Sequence, residues 1–163
     1  MAWVCVGIGS NVEPERNIRI GLAALRRRFG PLTVSTVYAN AAVGFAGDDF
    51  LNLAVGFDTD LPVRIVAAAL REIEGIHQPL RGGSSKFAPR ALDLDLLLYD
   101  ELVLREHGVQ VPRDEIARYA FVLRPLAEIA GDRRHPLLDV TFAELWAGFD
   151  QSREMLRPVM LAL

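Results

Sequence analysis

The chain has 163 residues, 51% of them apolar, a formal net charge of −3 and one cysteine. That length suits one domain with a real core, and a mean hydropathy of +0.20 argues against disorder. The charge implies no general affinity for nucleic acid, and a lone cysteine excludes an internal disulfide framework. No stretch reaches the roughly 18 apolar residues of a membrane span, and the amino terminus lacks a basic leader. A soluble cytoplasmic protein, monomeric and with no membrane or nucleic-acid partner, is the expectation.

Residues 3–8 read as a short apolar strand with Cys5 as a small core hydrophobe, closed by the turn signal Gly9, Ser10, Asn11. Pro14 and Glu15 open a helix in which Ile18, Leu22, Leu25 and Phe29 form one buried stripe. Arg26, Arg27 and Arg28 suit the negative end of its dipole, and Gly30-Pro31 stops it. Like Arg133 and Arg134, these arginines read as a solvated face. Residues 33–38 predict a second strand, followed by an irregular loop over 39–49. Residues 50–57 predict a third strand, with Leu51, Leu53, Val55 and Phe57 on one face and Phe50, Asn52 and Ala54 on the other. Phe50 beside Asn52 can stack on a flat ring and hydrogen-bond its edge. Equally, it can be a core Phe beside an amide that satisfies backbone, and the two residues alone favour that alternative.

Asp60 and Pro62 start a second helix with Val66, Leu70 and Ile73 as its core stripe. A long loop over 77–90 carries Arg81, Lys86 and Arg90 around Gly-Gly-Ser-Ser, which reads as a phosphate-gathering loop or a solvated connector. Residues 91–99 then predict a buried strand. Leu92, Leu94, Leu96 and Leu98 point one way, and Asp93 and Asp95 point the other, roughly 6.5–7 Å apart. A bare Asp-x-Asp can be salt-bridged to arginines without any metal. Two carboxylates beside so much Leu can also be held by Mg²⁺, which takes one or two carboxylates and completes its shell with phosphate oxygens and water. The Pro89-Arg90 lead-in favours the metal–phosphate site, because a guanidinium forks onto phosphate oxygens.

The order β-α-β-β-α-β predicts an α+β, ferredoxin-like core: an antiparallel sheet with two helices on one face and the other face left for additions or a ligand. Additions follow, giving helices on both sides. Residues 101–105 read as a further strand, Val111-Pro112 as a turn, 114–118 as a helix and 121–129 as a helix containing Pro125. Thr141 caps a last helix through Phe149, and the tail after Asp150 predicts nothing.

With these pieces assembled, the sequence resembles the 6-hydroxymethyl-7,8-dihydropterin pyrophosphokinases of folate biosynthesis. The likeness runs from Val4 to about Trp146 and is strongest at Pro89-Arg90-x-x-Asp93-x-Asp95-Leu96-Leu97. Gly9-Ser10-Asn11, Tyr38, Gly44, Phe50-Leu51-Asn52, Ile73-Glu74, Phe121-Val122-Leu123 and Pro125-Leu126 support it. The resemblance implies a ferredoxin-like fold and transfer of pyrophosphate from MgATP to the pterin hydroxymethyl oxygen, with release of AMP. It implies that Asp93 and Asp95 hold two Mg²⁺ ions, that Phe50 and Phe121 sandwich the pterin, and that Asn52 bonds its polar edge. Asn40 and Val43 match loop positions that meet the pterin, Arg90 matches a phosphate-binding arginine, and Glu74 matches an acidic residue near the nucleotide.

The chain departs from the family pattern in its basic residues. Phe87 and Ala88 stand where the family usually has a Trp and the Gly of Gly-Pro-Arg, Arg81 alone remains of a Gly-Arg-x-Arg run, Arg113 stands at a histidine position, and Tyr119 stands where an arginine is expected. Arg81, Lys86, Arg113 and Arg118 are the candidates to make up the lost nucleotide contacts. Those departures keep two alternatives open beside an active pyrophosphokinase: a paralogue acting on a modified pterin or another donor, and a pterin- or nucleotide-binding module without catalysis.

Overall fold

The computed structural model describes residues 1–40, 49–77, 91–106, 108–152 and 155–163. Its elements are β1 (Ala2–Ser10), α1 (Pro14–Phe29), β2 (Thr33–Val34), β3 (Val37–Asn40), β4 (Phe50–Thr59), α2 (Val63–His77) and β5 (Asp93–Tyr99). They continue with β6 (Leu104–Glu106), β7 (Val109–Val111), α3 (Glu115–Arg118), α4 (Ala120–Ala130), α5 (Phe142–Ala147) and β8 (Arg157–Val159). The main sheet runs β5-β1-β4-β3-β8, with β2 also on β4, and its pairs are antiparallel. Without β2 and β8 this is the expected α+β, ferredoxin-like βαββαβ core, with the last core strand beside the first.

One face of the sheet is packed as the alternation predicts. Val4, Val6 and Ile8 of β1, Leu53, Val55 and Phe57 of β4, and Leu92, Leu94 and Leu96 meet Ile18, Leu22 and Leu25 of α1 and Val66, Leu70 and Ile73 of α2. Each fully buried side chain of this size contributes about 1.5–3 kcal/mol. Phe29 and Phe57 stack with centroids 4.4 Å apart. Gly21 lets α1 approach closely, since a Cβ there would stand 3.0 Å from Leu92 Cδ2. On the opposite face Cys5, Ala54, Leu97 and Leu98 meet Ile116, Leu123, Leu126, Ala130 and Phe142, so α4 and α5 cover part of it. Burial pushes the Cys5 thiol far above its usual range, as suits a core residue. Thr141 caps α5 as expected, its Oγ1 accepting from the Glu144 N–H at 3.1 Å.

Several local expectations are corrected. Leu98 does not share a face with Leu92, Leu94 and Leu96: the β1–β5 register shifts between Cys5 and Val6, and the irregularity turns Leu98 into the second core. The predicted strand over 33–38 is two strands, because Ser35 leaves the ladder and bonds Ala54 twice, once through its N–H and once through Oγ, both at 2.9 Å. β1 continues through Gly9 and Ser10 instead of turning there. The strand expected over 101–105 is shifted to Leu104–Glu106 and pairs with β7 in a separate sheet. The tail contributes β8, which pairs with β3. The predicted 77–90 loop and most of the 39–49 loop lie outside the described residues.

Candidate active site

The part of the second face nearest the carboxyl end of β1 is floored by glycine. In ladder order Tyr38, Asn52, Gly9 and Asp93 form one row across β3, β4, β1 and β5, and Ala54, Gly7 and Asp95 form the next. Directly opposed residues share a face, so Asn52, Asp93 and Asp95 all project from this side. Adjacent strands are about 4.8 Å apart, which puts Asn52 and Asp93 roughly 10 Å apart across Gly9. Glycine in the centre of an apolar strand marks close approach, and Gly9 has a specific reason: a Cβ there would lie 2.9 Å from Asn52 Oδ1. The alternate glycines at 7 and 9 were the sequence signal for this floor, one that a turn reading hides.

On the β3–β4 side of the floor, Asn52 is buried and its Nδ2 donates to Asn40 Oδ1 at 2.5 Å, while Phe50 pairs with Asn40 in the ladder. That bond turns the Asn52 carbonyl towards the Gly9 backbone. Tyr38 is held beside this row by Glu128 of α4, which accepts from its hydroxyl at 3.0 Å and from Thr36 N–H and Oγ1. Burial, reinforced by Glu128, raises the Tyr38 phenol pKa, so the phenol stays protonated. The Arg124 guanidinium lies 4.8 Å from the Tyr38 ring and 5.6 Å from Trp146. None of Tyr38's bonds to α4 was legible in the sequence, since the partners are about 90 residues apart. Phe121, at the start of α4, stacks on Tyr119 at 5.1 Å.

On the β5 side, Ser10 Oγ donates to the Ala91 carbonyl at 2.6 Å and so fixes the approach to Asp93. The free edge of β5 is occupied by two side elements. The Leu94 N–H donates to Glu74 Oε2 at 3.2 Å, and the Arg113 N–H donates to the Leu97 carbonyl at 3.1 Å. Arg113 follows Pro112, whose peptide bond to Val111 is cis. Its Nε donates to Glu115 Oε2 at 2.7 Å, and its far nitrogen stands 4.0 Å from Asp95 Oδ1. Burial works against the Arg113 charge, but Asp95, Glu115 and Glu74 outweigh it and hold its pKa above the ordinary arginine value. Asp95 itself remains about half exposed.

The structure therefore brings Asn40, Phe50 and Asn52 together on one side of the floor, and Glu74, Asp93, Asp95 and Arg113 on the other. Arg118 is exposed on α3, where its charge acts on Asp114. Val43, Arg81, Lys86 and Arg90 lie outside the described residues. Glu115, Ser10 and the two floor glycines are additions to the predicted set. Among the described residues no group of three His, Cys, Asp or Glu side chains comes together to hold a metal. A pair of carboxylates on a glycine-floored face, with Asp95 about half exposed, fits Mg²⁺, which needs few protein ligands and keeps positions for phosphate and water.

A family model for 7,8-dihydro-6-hydroxymethylpterin-pyrophosphokinase (HPPK) matches residues 5–131. The chain is 37% identical over 140 residues to a 2-amino-4-hydroxy-6-hydroxymethyldihydropteridine pyrophosphokinase of Pseudomonas aeruginosa, covering 82% of this chain and 83% of that one. It is 30% identical over 139 residues to the Aquifex aeolicus protein of the same name, covering 84% and 86%. Among solved structures, the fold matches Plasmodium falciparum HPPK-DHPS with a TM-score of 0.72 at 10% identity, over 90% of this chain and 43% of that longer one. The family-model match runs from Cys5 in β1 to the end of α4. The chain belongs to the 7,8-dihydro-6-hydroxymethylpterin-pyrophosphokinase family and is a diphosphotransferase of folate biosynthesis.

Proposed function

We propose that the glycine floor separates a pterin side from a triphosphate side of one site, with the reacting oxygen held over β1. The observation that carries this is the row Asn52–Gly9–Asp93, which spaces an amide and a carboxylate roughly 10 Å apart on one sheet face. On the pterin side Asn52 bonds the polar edge of the ring, Phe50 and Phe121 cover its faces, and Asn40 and Val43 line the rim. On the other side Asp93 and Asp95 are the ligands for Mg²⁺, with Arg81, Lys86, Arg90, Arg113 and Arg118 for the nucleotide and Glu74 beside it. Bound there, two Mg²⁺ ions would neutralise triphosphate charge and orient its oxygens.

The hydroxymethyl oxygen attacks the β-phosphorus of ATP, the bond from that phosphorus to the α-phosphate oxygen breaks, and AMP leaves. The hydroxyl proton passes to solvent. Such a transfer depends on positioning and charge stabilisation more than on covalent help from the protein. Asn52 fixes the ring, the bond from Ser10 to Ala91 fixes the β5 carboxylates, and a side chain at position 9 would intrude between them. Incubation with MgATP and 6-hydroxymethyl-7,8-dihydropterin is expected to release AMP, and Asp95→Ala is expected to abolish that release. AMP release undiminished in the variant would remove Asp95 from the site.

A further inference from the structure

We propose that Glu115 is a positioning residue that restrains Arg113 from closing on Asp95, so that the guanidinium screens this carboxylate without competing fully for it when a cation binds. The proposal rests on the metal reading above. Three contacts fix Arg113. Its backbone N–H is tied to Leu97 at 3.1 Å, its Nε is bonded to Glu115 at 2.7 Å, and its outer nitrogen stops 4.0 Å from Asp95. The Glu115 contact is a true charge-assisted hydrogen bond, whereas the Asp95 contact is beyond hydrogen-bond distance.

The environments differ in the same sense. The Glu115 side chain is 19% exposed and that of Asp95 51% exposed, so the Glu115 pair is the better shielded from water and salt. Fully released, an arginine beside a carboxylate adopts the two-pronged pairing that occupies both oxygens, which are the oxygens a divalent cation needs. Held by Glu115, Arg113 offsets the Asp95 charge without a close hydrogen bond of its own to that carboxylate. A cation that binds Asp95 then displaces no such bond from Arg113, and the guanidinium stays within reach of whatever anion accompanies it.

The test is a Mn²⁺ titration of the nucleotide-free protein, followed by the electron paramagnetic resonance signal of free Mn²⁺. Wild-type protein is expected to bind, and Asp95→Asn to bind much more weakly. Arg113→Gln should tighten binding by about two- to fivefold, the scale of a partly exposed ion pair, and Glu115→Gln should weaken it by a similar factor. The decisive arm is the double variant, which should match Arg113→Gln alone, because Glu115 then has nothing to restrain. If Glu115→Gln weakens binding equally in both backgrounds, Glu115 acts only as a nearby negative charge and the proposal is overturned. If wild-type protein binds no Mn²⁺, or Asp95→Asn binds as well as wild type, the metal reading itself fails.

Discussion

The two faces of the main sheet are built from the same strands and serve opposite ends. On the α1–α2 face the strand interiors carry aliphatic and aromatic side chains closed over by two helices, with Ser10 and Thr59 at the ends of β1 and β4. On the other face, helices α4 and α5 pack on Cys5, Ala54, Leu97 and Leu98, and towards its carboxyl end β1 carries Gly7 and Gly9 in place of side chains. β5 shows the contrast within one element: Leu94 is 4% exposed, whereas its neighbour Asp95 is about half exposed. A face that is filled stabilises the fold. A face short of side chains leaves room beside polar groups held at fixed spacing, and stability there is exchanged for chemistry.

The contrast is broken most decisively by substitutions on the two sides of β5 and the residue that leads into it. Leu92→Ala on the packed face should cost about 2–5 kcal/mol, read as a large drop in midpoint on chemical denaturation, with activity per folded molecule preserved. Asp93→Asn should do the reverse. Turnover should fall by about a hundredfold or more, since even outer partners of metal sites are worth 10–100-fold, while the denaturation midpoint barely moves. An Asp93→Asn protein with a markedly lower denaturation midpoint and unchanged turnover per folded molecule would erase the distinction between faces.

A smaller effect sharpens it. In Gly9→Ala the new methyl would meet Asn52 Oδ1 at 2.9 Å and displace the amide from Asn40. Losing one such hydrogen bond is worth about 0.5–1.5 kcal/mol, so KM for the pterin should rise up to about tenfold with kcat less affected. An unchanged KM would show that the amide does not read the ring.

The smallest effect lies away from both faces. His135 Nδ1 accepts from the Leu137 and Leu138 N–H groups at 3.1 and 3.2 Å, and burial lowers its pKa. A histidine whose folded pKa is depressed below the ordinary value of 6.5 adds stability that is complete above that pH and is lost as pH falls through the folded pKa, because the unfolded chain takes up the proton first. Wild-type melting temperature should therefore decline between pH 7.5 and 5.5 by a few degrees at most, and His135→Asn should show less of that decline. Parallel declines would assign the pH dependence to other groups.

How much was legible follows the range of the interaction. The parity of β4, with Leu51, Leu53, Val55 and Phe57 opposite Phe50, Asn52 and Ala54, was fixed by alternation and holds in the structure. The α1 and α2 stripes were likewise written in local spacing. Leu98 was misread because β5 carries an extra residue, Leu97, opposite the Cys5–Val6 step of β1, and strict alternation over 91–99 does not register such a bulge. β8 was missed because Arg157, Pro158 and Val159 have no strand pattern of their own and take their conformation from the β3 edge.

The sequence alone determined the element order, the apolar stripes and the Asp-x-Asp motif, since each depends on neighbours within a few residues along the chain. Only the tertiary structure decided that Gly9 stands between Asn52 and Asp93, that Asn40 turns the Asn52 amide, and that Arg113 is shared unequally between Glu115 and Asp95. Those relations join residues from different strands and helices. Their energies exist only after the sheet has closed and brought partners into contact, so no local pattern encodes them.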